Sequence, residues 1–347
     1  MQNVIPNLLT WYKNVHRKLP WRETSNPYQI WVSEVILQQT RVEQGREYFF
    51  KFVDKFPDIF SLATAEESEI LKIWQGLGYY ARARNMHLAA KQMVDLHQGN
   101  FPNDYFSIRN LRGIGDYTAA AIASFAFKQF YPAIDGNVKR VTARFYGFDM
   151  PISSPAFYKL VEQELSVAIK KTEPDIFNQA MIELGAMVCT PVNPKCTICP
   201  IQDECVALKF NKIAELPNNP PKKKPLKKYL HFFYVEMDEQ TILQLRPSEG
   251  IWGGLNEFPC IESLGLNEIP ENTFEFLGLE NDNFEIVDNF EFKHLLTHQT
   301  IFAKLWHLKV NRNNILTAKN WNLIKINDIR TFPLHKLMEK ILDKLHL

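Results

Sequence analysis

The sequence has no run of eighteen apolar residues, so no segment has the length of a membrane-spanning helix. Its first twenty residues also lack an uninterrupted apolar core of signal-peptide length. We therefore expect a protein of a reducing cytoplasm with no membrane partner. A formal net charge of only +1 leaves nucleic acid open as a partner, because clustering of Lys and Arg matters more than their sum.

Cysteine is scarce as well, since only five occur in 347 residues. Four of them fall in one short window, 189–205, as Cys189-x6-Cys196-x2-Cys199-x5-Cys205. In a reducing compartment clustered thiols are more often metal ligands than disulfides. Zinc ribbons usually carry two close pairs of cysteines, and only Cys196 and Cys199 form one here, so the spacing favours an iron–sulfur cluster over zinc.

The chain is long enough for two domains. Residues 211–228 are rich in proline and lysine, which predicts an extended linker whose lysines are solvated, with a DNA contact as the alternative. Before the linker, residues 26–208 repeat apolar positions at three and four, which predicts an all-α domain over residues 1–210. After it, residues 229–347 contain short stretches of period two and a final helical stretch, which predict an α/β domain.

Two glycines two residues apart stand between helical stretches in Leu111-Arg-Gly113-Ile-Gly115-Asp-Tyr117. They permit a tight hairpin whose backbone N–H groups, with the start of a helix near Asp116, can hold a phosphate oxygen. A simple helix cap is the alternative interpretation.

Asp135 and Asn137 lie together at the start of the next helical stretch, in Ile-Asp-Gly-Asn-Val-Lys-Arg. A carboxylate in this place either caps the helix or faces a substrate, where it could stabilise positive charge on a sugar.

Glu34 is a single acidic residue inside the apolar stretch Ile-Trp-Val-Ser-Glu-Val-Ile-Leu. Burial disfavours the charged form of a carboxyl, so its pKa should rise and it can act as a general acid near neutral pH. The alternative is a structural Glu satisfied by a helix end or an arginine.

These motifs, in this order and followed by the four cysteines, resemble the helix-hairpin-helix base-excision DNA glycosylases that carry a four-iron, four-sulfur cluster. The resemblance covers about residues 10–208. It implies an all-α fold of two modules with the active-site cleft between them, one cluster on Cys189, Cys196, Cys199 and Cys205, and double-stranded DNA as the partner. It also implies a monomer that works on the nucleoid in a bacterial cytoplasm.

Lyase-competent members of this superfamily carry a lysine two residues after the second hairpin glycine, where this chain has Tyr117. A phenol cannot form an imine, so the chain resembles the monofunctional adenine DNA glycosylases, which remove adenine mispaired with 8-oxoguanine. The stretches LPWR at 19–22 and WQGLGYYARARN at 74–85 are similar to that subfamily as well.

The resemblance implies a role for each matching residue. Glu34 would protonate adenine and then activate water, Asp135 would stabilise the sugar cation, and Tyr117 and Asn137 would orient these groups. The positions that would contact base or backbone are Trp21 and Arg22 in the adenine pocket, Gln39 and Tyr79 beside 8-oxoguanine, and Gly113 and Gly115 at a phosphate. For Tyr79 a core aromatic is the alternative.

The hairpin departs from the family pattern at two positions. Arg112 replaces a usual proline, and Asp116 stands where a basic residue is common. An aspartate near a phosphate is unfavourable unless Arg112 offsets its charge, so the sequence leaves the exact contact of the hairpin open.

The second domain contains Arg246-Pro-Ser-Glu-Gly-Ile-Trp-Gly-Gly-Leu-Asn-Glu-Phe-Pro259, which resembles Nudix-type domains. The Arg-Glu-x-x-Glu-Glu pattern that would hold magnesium is missing from the residues that follow, which argues against a nucleotide pyrophosphatase. A recognition role for 8-oxoguanine remains, with Thr297 and His298 matching the loop that reads this base. A non-catalytic, DNA-binding iron–sulfur sensor is the other alternative, and it would not need Glu34 or Asp135.

Overall fold

A computed structural model describes residues 1–221, 224–279, 284–310 and 321–347. These residues form two compact units. The first contains Met1–Thr64 and Asn85–Pro221, and the second contains Ala65–Arg84 together with the described residues after Pro221. The membership of Ala65–Arg84 in the second unit is not evident from the sequence. Within the predicted linker 211–228, Lys222 and Lys223 lie outside the described residues.

Helices build the first unit, as the apolar period predicts. In chain order the helices up to the linker are α1 (Ile5–Val15), α2 (Pro27–Ile36), α3 (Val42–Lys55), α4 (Ile59–Thr64), α5 (Glu67–Trp74, in the second unit), α6 (Ala81–His97, which begins in the second unit), α7 (Tyr105–Arg109), α8 (Asp116–Phe127), α9 (Gly136–Tyr146), α10 (Pro155–Ile169), α11 (Pro174–Met187) and α12 (Val206–Lys209). The α2–α3 region, which reads as one helical stretch, is interrupted at 37–41, where Gln39 has a φ of 60°.

Helix α2 is the most deeply buried element of the first unit. The Asn26 side chain caps its first turn by accepting the backbone N–H groups of Tyr28 and Gln29, and Pro27 occupies its first position. Its neighbours are α3 and α8. The buried face of α8 is made mainly of alanines, and such small side chains let the two helices approach closely.

Helices α9 and α11 approach each other closely at Gly185. A Cβ atom at this glycine would lie 2.5 Å from the Cβ of Asn137 on α9, so no larger residue fits without displacing one helix. Phe177, Leu184 and Val138 fill the adjoining core, and all three are fully or almost fully buried. Packing around Gly185 therefore fixes the position of Asn137.

The second unit contains two sheets and a carboxyl-terminal helix, as the period-two stretches predict. Its elements are β1 (Leu226–Glu236), β2 (Gln240–Leu245), β3 (Asn256–Glu257), β4 (Cys260–Ser263), α13 (Thr273–Leu277), β5 (Phe284–Leu295), β6 (Gln299–Val310), β7 (Trp321–Lys325) and α14 (Lys336–Leu345). The larger sheet has the order β4-β1-β6-β5 and the smaller β3-β2-β7. Only the β1–β6 pair is parallel among the described strand pairs.

The segment Ala65–Arg84 is tied to the rest of the second unit by polar contacts at the end of α5. Lys72 Nζ donates to the carbonyl oxygens of Arg330 and Phe332 at 2.6 and 3.1 Å. Gln75 Nε2 donates to Glu339 Oε1 at 2.6 Å. These contacts hold the turn that follows α5 in a defined place.

Among the residues that the structure describes, no helix combines the length and the apolar character needed to cross a bilayer.

Substitution of Gly185 by alanine tests the close approach of α9 and α11. We expect the free energy of unfolding to fall by about 1–3 kcal/mol, because the added methyl group overpacks the contact with Asn137. Gly136→Ala on α9 is the matched control, since a Cβ there meets nothing within 4 Å. Chemical denaturation of both variants measures the difference, and equal stabilities would show that the packing is looser than described.

Candidate active site

A cleft of about 790 Å³ in the first unit brings most of the predicted site residues together. All four predicted catalytic residues line it, and so do Trp21, Arg22 and Gln39 of the predicted binding residues. Tyr79, Thr297 and His298 belong to the second unit, and Gly113 and Gly115 are exposed at the hairpin. The seven predicted residues that do line the cleft come from distant parts of the chain and meet in one concave surface, as a binding site requires.

Glu34 projects from α2 into this cleft and is only 8% exposed. The hydroxyl of Tyr117 donates to Glu34 Oε2 at 2.7 Å. Burial raises the pKa of Glu34 to about 7, against the lowering effect of this hydrogen bond. A general acid near neutral pH is therefore available, and the carboxyl accepts its hydrogen bond from a phenol rather than from a helix end or an arginine.

Asp135 caps α9, and its side chain also lines the cleft. Its Oδ1 accepts the backbone N–H of Val138 at 2.7 Å, and its Oδ2 accepts from Asn137 Nδ2 at 2.7 Å. Burial raises the pKa of Asp135, while these hydrogen bonds favour its charged form. The carboxylate is held rigidly by two donors from its own helix.

Arg140 continues this set of hydrogen bonds towards the cysteine loop. One of its nitrogens, Nη2, donates to Asn137 Oδ1 at 2.9 Å and to the Gly185 carbonyl at 2.8 Å. Its Nε donates to the Cys189 carbonyl at 2.8 Å. Arg140 was not identified from the sequence as a site residue, although it follows Asn137 by three positions on the same helix.

Glu183 on α11 is the main residue of this region that sequence reasoning missed. Its side chain is fully buried and accepts from Arg22 Nη2 at 2.8 Å and from Arg17 Nε and Nη2 at 2.9 and 2.7 Å. Burial alone would raise the pKa of Glu183, but the hydrogen bonds from Arg17 and Arg22 outweigh it and lower the pKa to about 2. The available signal was a single acidic residue within an apolar stretch, here 180–187, as for Glu34.

The glycine hairpin has the backbone that the motif predicts. Gly113 has a φ of +76°, and a Cβ atom there would lie 2.5 Å from the Cβ of Asn85. Gly115 precedes the first turn of α8, which begins at Asp116. Both glycines are exposed, so their N–H groups and the helix start can meet a phosphate.

The ion pair of Asp116 is formed by Arg109, in the last turn of α7, rather than by Arg112, with Nε 2.5 Å from Asp116 Oδ1. Its Nη1 also donates to the Ile114 carbonyl at 2.9 Å. The turn of the hairpin brings the end of α7 opposite the start of α8, a proximity that a linear sequence does not reveal.

The four clustered cysteines line one small cavity of about 20 Å³ in the first unit, together with apolar side chains such as Val188 and Leu208. No group of three or more His, Cys, Asp or Glu residues in the described part of the chain is placed to hold a single metal ion. Cysteine thiolates are the usual ligands of iron–sulfur clusters, so the chemistry of these four side chains fits such a cluster. Arg144 Nη1 lies 3.5 Å from Cys189 Sγ and places positive charge beside the thiolates.

A separate cavity of about 460 Å³ in the second unit holds the remaining predicted residues, Tyr79, Thr297 and His298. The Tyr79 hydroxyl lies 2.5 Å from Thr297 Oγ1. Tyr79 is 44% exposed, which excludes a core aromatic. Thr297 and His298 lie in the turn between β5 and β6 and are exposed as well.

The raised pKa of Glu34 predicts a pH-dependent effect of Glu34→Gln on stability. The folded state disfavours ionisation, so the carboxyl destabilises the fold increasingly from about pH 4.5 to 7 and fully above pH 7. We expect Glu34→Gln to raise the free energy of unfolding by up to about 3 kcal/mol at pH 8 and by little at pH 4.5. Urea unfolding at both values measures this, and an equal change at both would mean that Glu34 has an ordinary pKa.

Three family models match the chain. One described as "HhH-GPD superfamily base excision DNA repair protein" matches residues 32–170, and one described as "NUDIX domain" matches residues 231–344. The third, "Iron-sulfur binding domain of endonuclease III", matches residues 189–205, which begin and end at the first and last clustered cysteine. The predicted fold class is confirmed, and the cofactor is one four-iron, four-sulfur cluster.

Solved structures show the same fold for the helical part. A thermostable thymine-DNA glycosylase is 25% identical, with a TM-score of 0.54, and covers 59% of this chain and 94% of its own. A trapped endonuclease III–DNA covalent intermediate is 24% identical, with a TM-score of 0.53, and covers 60% of this chain and 95% of its own. These similarities account for the helical first unit.

Curated relatives named adenine DNA glycosylase are similar in sequence. The human protein is 39% identical over 214 residues, which are 58% of this chain and 38% of that protein. The protein of Buchnera aphidicola subsp. Baizongia pistaciae (strain Bp) is 34% identical over 342 residues, which are 97% of this chain and 95% of that protein. Because the latter similarity extends over nearly the full length of both proteins, this chain belongs to the adenine DNA glycosylase family.

Proposed function

We propose that this chain is a monofunctional DNA glycosylase that hydrolyses the N-glycosidic bond of adenine paired with 8-oxoguanine or guanine and leaves an abasic site. We place it on nucleoid DNA in a bacterial cytoplasm, as a monomer. The observation that carries the proposal is the hydrogen bond of 2.7 Å from Tyr117 to the buried Glu34, in the cleft that Asp135 also lines.

Adenine is a poor leaving group until a ring nitrogen is protonated. Glu34, with its pKa raised to about 7, is partly protonated at neutral pH and can deliver that proton to N7 of a flipped adenine. After transfer it becomes a carboxylate, which can accept a proton from the attacking water. One residue therefore serves as acid in the first step and as base in the second.

Loss of the base leaves positive charge on the sugar, and Asp135 is placed to stabilise it. The two hydrogen bonds from Val138 and Asn137 keep the Asp135 carboxylate in one orientation, so little reorganisation is needed when the charge develops. The division of labour between a protonated Glu34 and a charged Asp135 is that of the two carboxyl groups of glycosidases.

Hydrolysis without strand cleavage follows from the residue at the hairpin. Tyr117 supplies a phenol and no amine, and the lining of the described cleft contains four arginines but no lysine. A Schiff base with the sugar needs a deprotonated amine, and a guanidinium does not supply one. The reaction therefore ends at the abasic site.

The adenine pocket is shaped by a charged cluster and an aromatic wall. Arg22 is fixed by its ion pair with the buried Glu183, which Arg17 also binds. Trp21 is buried against Phe49, with ring centroids 5.4 Å apart. A rigid wall of this kind favours a planar base and excludes bulk water from Glu34.

Recognition of the opposite base is assigned to the second unit and to Gln39. The Thr297 hydroxyl can donate to or accept from a base edge, and His298 is exposed beside it. Tyr79 supplies an exposed ring that can enter the base stack, with Gln39 in the same role. Leu296 provides no aromatic stacking, so discrimination is carried by hydrogen bonding and by Tyr79.

The iron–sulfur cluster takes no part in hydrolysis. When bound to Cys189, Cys196, Cys199 and Cys205 it joins the ends of one loop and gives that loop a fixed shape. The proposed phosphate contact is the hairpin at Gly113 and Gly115, which positions the duplex without reading its sequence.

Product analysis tests the monofunctional reaction. Purified protein should convert a duplex containing adenine opposite 8-oxoguanine into a strand that stays intact until treated with alkali. Borohydride should trap no protein–DNA adduct above background, because Tyr117 cannot form an imine. Efficient trapping, with strand breaks before alkali, would refute the proposal.

Substitution of Glu34 by Gln tests the general acid. We expect the single-turnover excision rate to fall by at least about a thousandfold, because the amide cannot deliver a proton, while binding to the mispaired duplex is retained. Glu47→Gln, on the exposed surface of α3, is the control and should excise at the wild-type rate. A near wild-type rate for Glu34→Gln would assign the acid to another group.

A further inference from the structure

We propose that Arg82 is a positioning residue that fixes the ring of Tyr79, so that the preference for 8-oxoguanine over guanine opposite adenine depends on Arg82. The inference rests on the proposed function, in which Tyr79 enters the base stack beside the opposite base. It concerns a residue of the second unit that does not itself line the cavity of Tyr79.

Tyr79 stands in a backbone conformation that side chains seldom adopt. Its φ is 49°, and those of Gly76 and Gly78 in the same turn are 96° and 71°. The glycines accept this conformation freely, whereas the tyrosine must be held in it by surrounding contacts. Because the ring is 44% exposed, those contacts cannot come from core packing.

Arg82 contacts the Tyr79 turn in two ways. Its Cζ lies 5.8 Å from the ring centroid of Tyr79 and 5.2 Å from that of Trp74, which is fully buried. Its Nη2 donates to the carbonyl oxygens of Gly78 at 3.1 Å and Leu77 at 3.5 Å. One guanidinium therefore links the exposed ring, the turn that carries it and a buried aromatic anchor.

Arg82 stays protonated although its side chain is partly buried. Burial lowers its pKa to about 10, so the guanidinium is cationic at neutral pH. A partly desolvated cation over an aromatic face is attracted more strongly than one in water. A side chain without charge at this position would lose both this attraction and the donors to the turn.

The two ends of the Tyr79 side chain are thus held separately. The hydroxyl pairs with Thr297 Oγ1 at 2.5 Å, and the ring lies against Arg82. A hydroxyl contact alone would let the ring turn about its long axis, and a ring that enters a base stack needs a defined plane. Arg82 supplies the second constraint.

A double-mutant cycle between Arg82 and Tyr79 tests the inference. Single-turnover excision is measured for adenine opposite 8-oxoguanine and opposite guanine, and the ratio of the two rates is compared among wild type, Arg82→Met, Tyr79→Leu and the double variant. We expect Arg82→Met to lower the ratio by roughly three- to tenfold, the size of a lost cation–π contact. In the Tyr79→Leu background the same change should leave the ratio unaltered.

Two further variants separate positioning from general damage. Arg82→Lys keeps the cation without the planar fork and should give a ratio between those of wild type and Arg82→Met. If Arg82→Met does not fold, Arg82→Lys with and without Tyr79→Leu completes the same cycle. Lys91→Met removes an exposed cation from the same helix and should leave the ratio unchanged.

The outcomes distinguish a failure of the role of Arg82 from a failure of the proposed function. The inference would be overturned if Arg82→Met changed the ratio of the two excision rates equally with Tyr79 and with Leu at position 79. It would also be overturned if Arg82→Met changed the ratio in neither background. Failure of the wild-type protein to excise adenine opposite 8-oxoguanine would instead overturn the proposed function.

Discussion

Burial of one carboxyl group, Glu34, is the constraint on which the rest of the site depends. Helix α2 is enclosed by its neighbours, and the Glu34 side chain therefore leaves water. The hydrogen bond from Tyr117 and the charge of Arg22 favour ionisation less than burial opposes it. The cost of ionisation is what raises its pKa to about 7. A cationic partner, such as the pair of arginines that binds Glu183, would lower the pKa of Glu34, and Glu34 would then be ionised and unable to donate a proton at neutral pH.

The two buried glutamates of the first unit show how surroundings separate chemical roles. Glu34 receives a hydrogen bond from a neutral phenol, while Glu183 accepts several from Arg17 and Arg22 and has a pKa of about 2. The first can carry a proton near neutral pH, and the second is a fixed charge that orients the arginines. Burial raises the pKa of Asp135 as well, while the donors of its own helix favour its charged form.

Much of the candidate site could be predicted from the sequence, because the patterns that indicate it lie within short stretches of the chain. An acidic residue inside an apolar stretch identified Glu34, two close glycines identified the hairpin, and the spacing of four cysteines indicated a cluster. Glu183 carried the first signal as well, but its partner Arg17 is 166 positions away, and no local pattern reveals such a pair.

The features that the sequence did not reveal have a common origin. Asp116 is neutralised by Arg109 across the hairpin rather than by the nearer Arg112, because the turn decides which side chains meet. The segment Ala65–Arg84 has a helical sequence like its neighbours, yet it joins the second unit through the contacts of Lys72 and Gln75. Tertiary contacts set these outcomes.

The pH dependence of single-turnover excision, compared between the wild-type protein and Tyr117→Phe, tests the central claim most directly. If Glu34 is the acid, the wild-type rate should fall as the pH rises through about 7, by up to tenfold per pH unit above it. Because the hydrogen bond from Tyr117 lowers the pKa of Glu34, its removal should move this falling limb to higher pH. A wild-type rate that stays constant between about pH 6 and 9, or a limb that Tyr117→Phe leaves in place, would contradict the account.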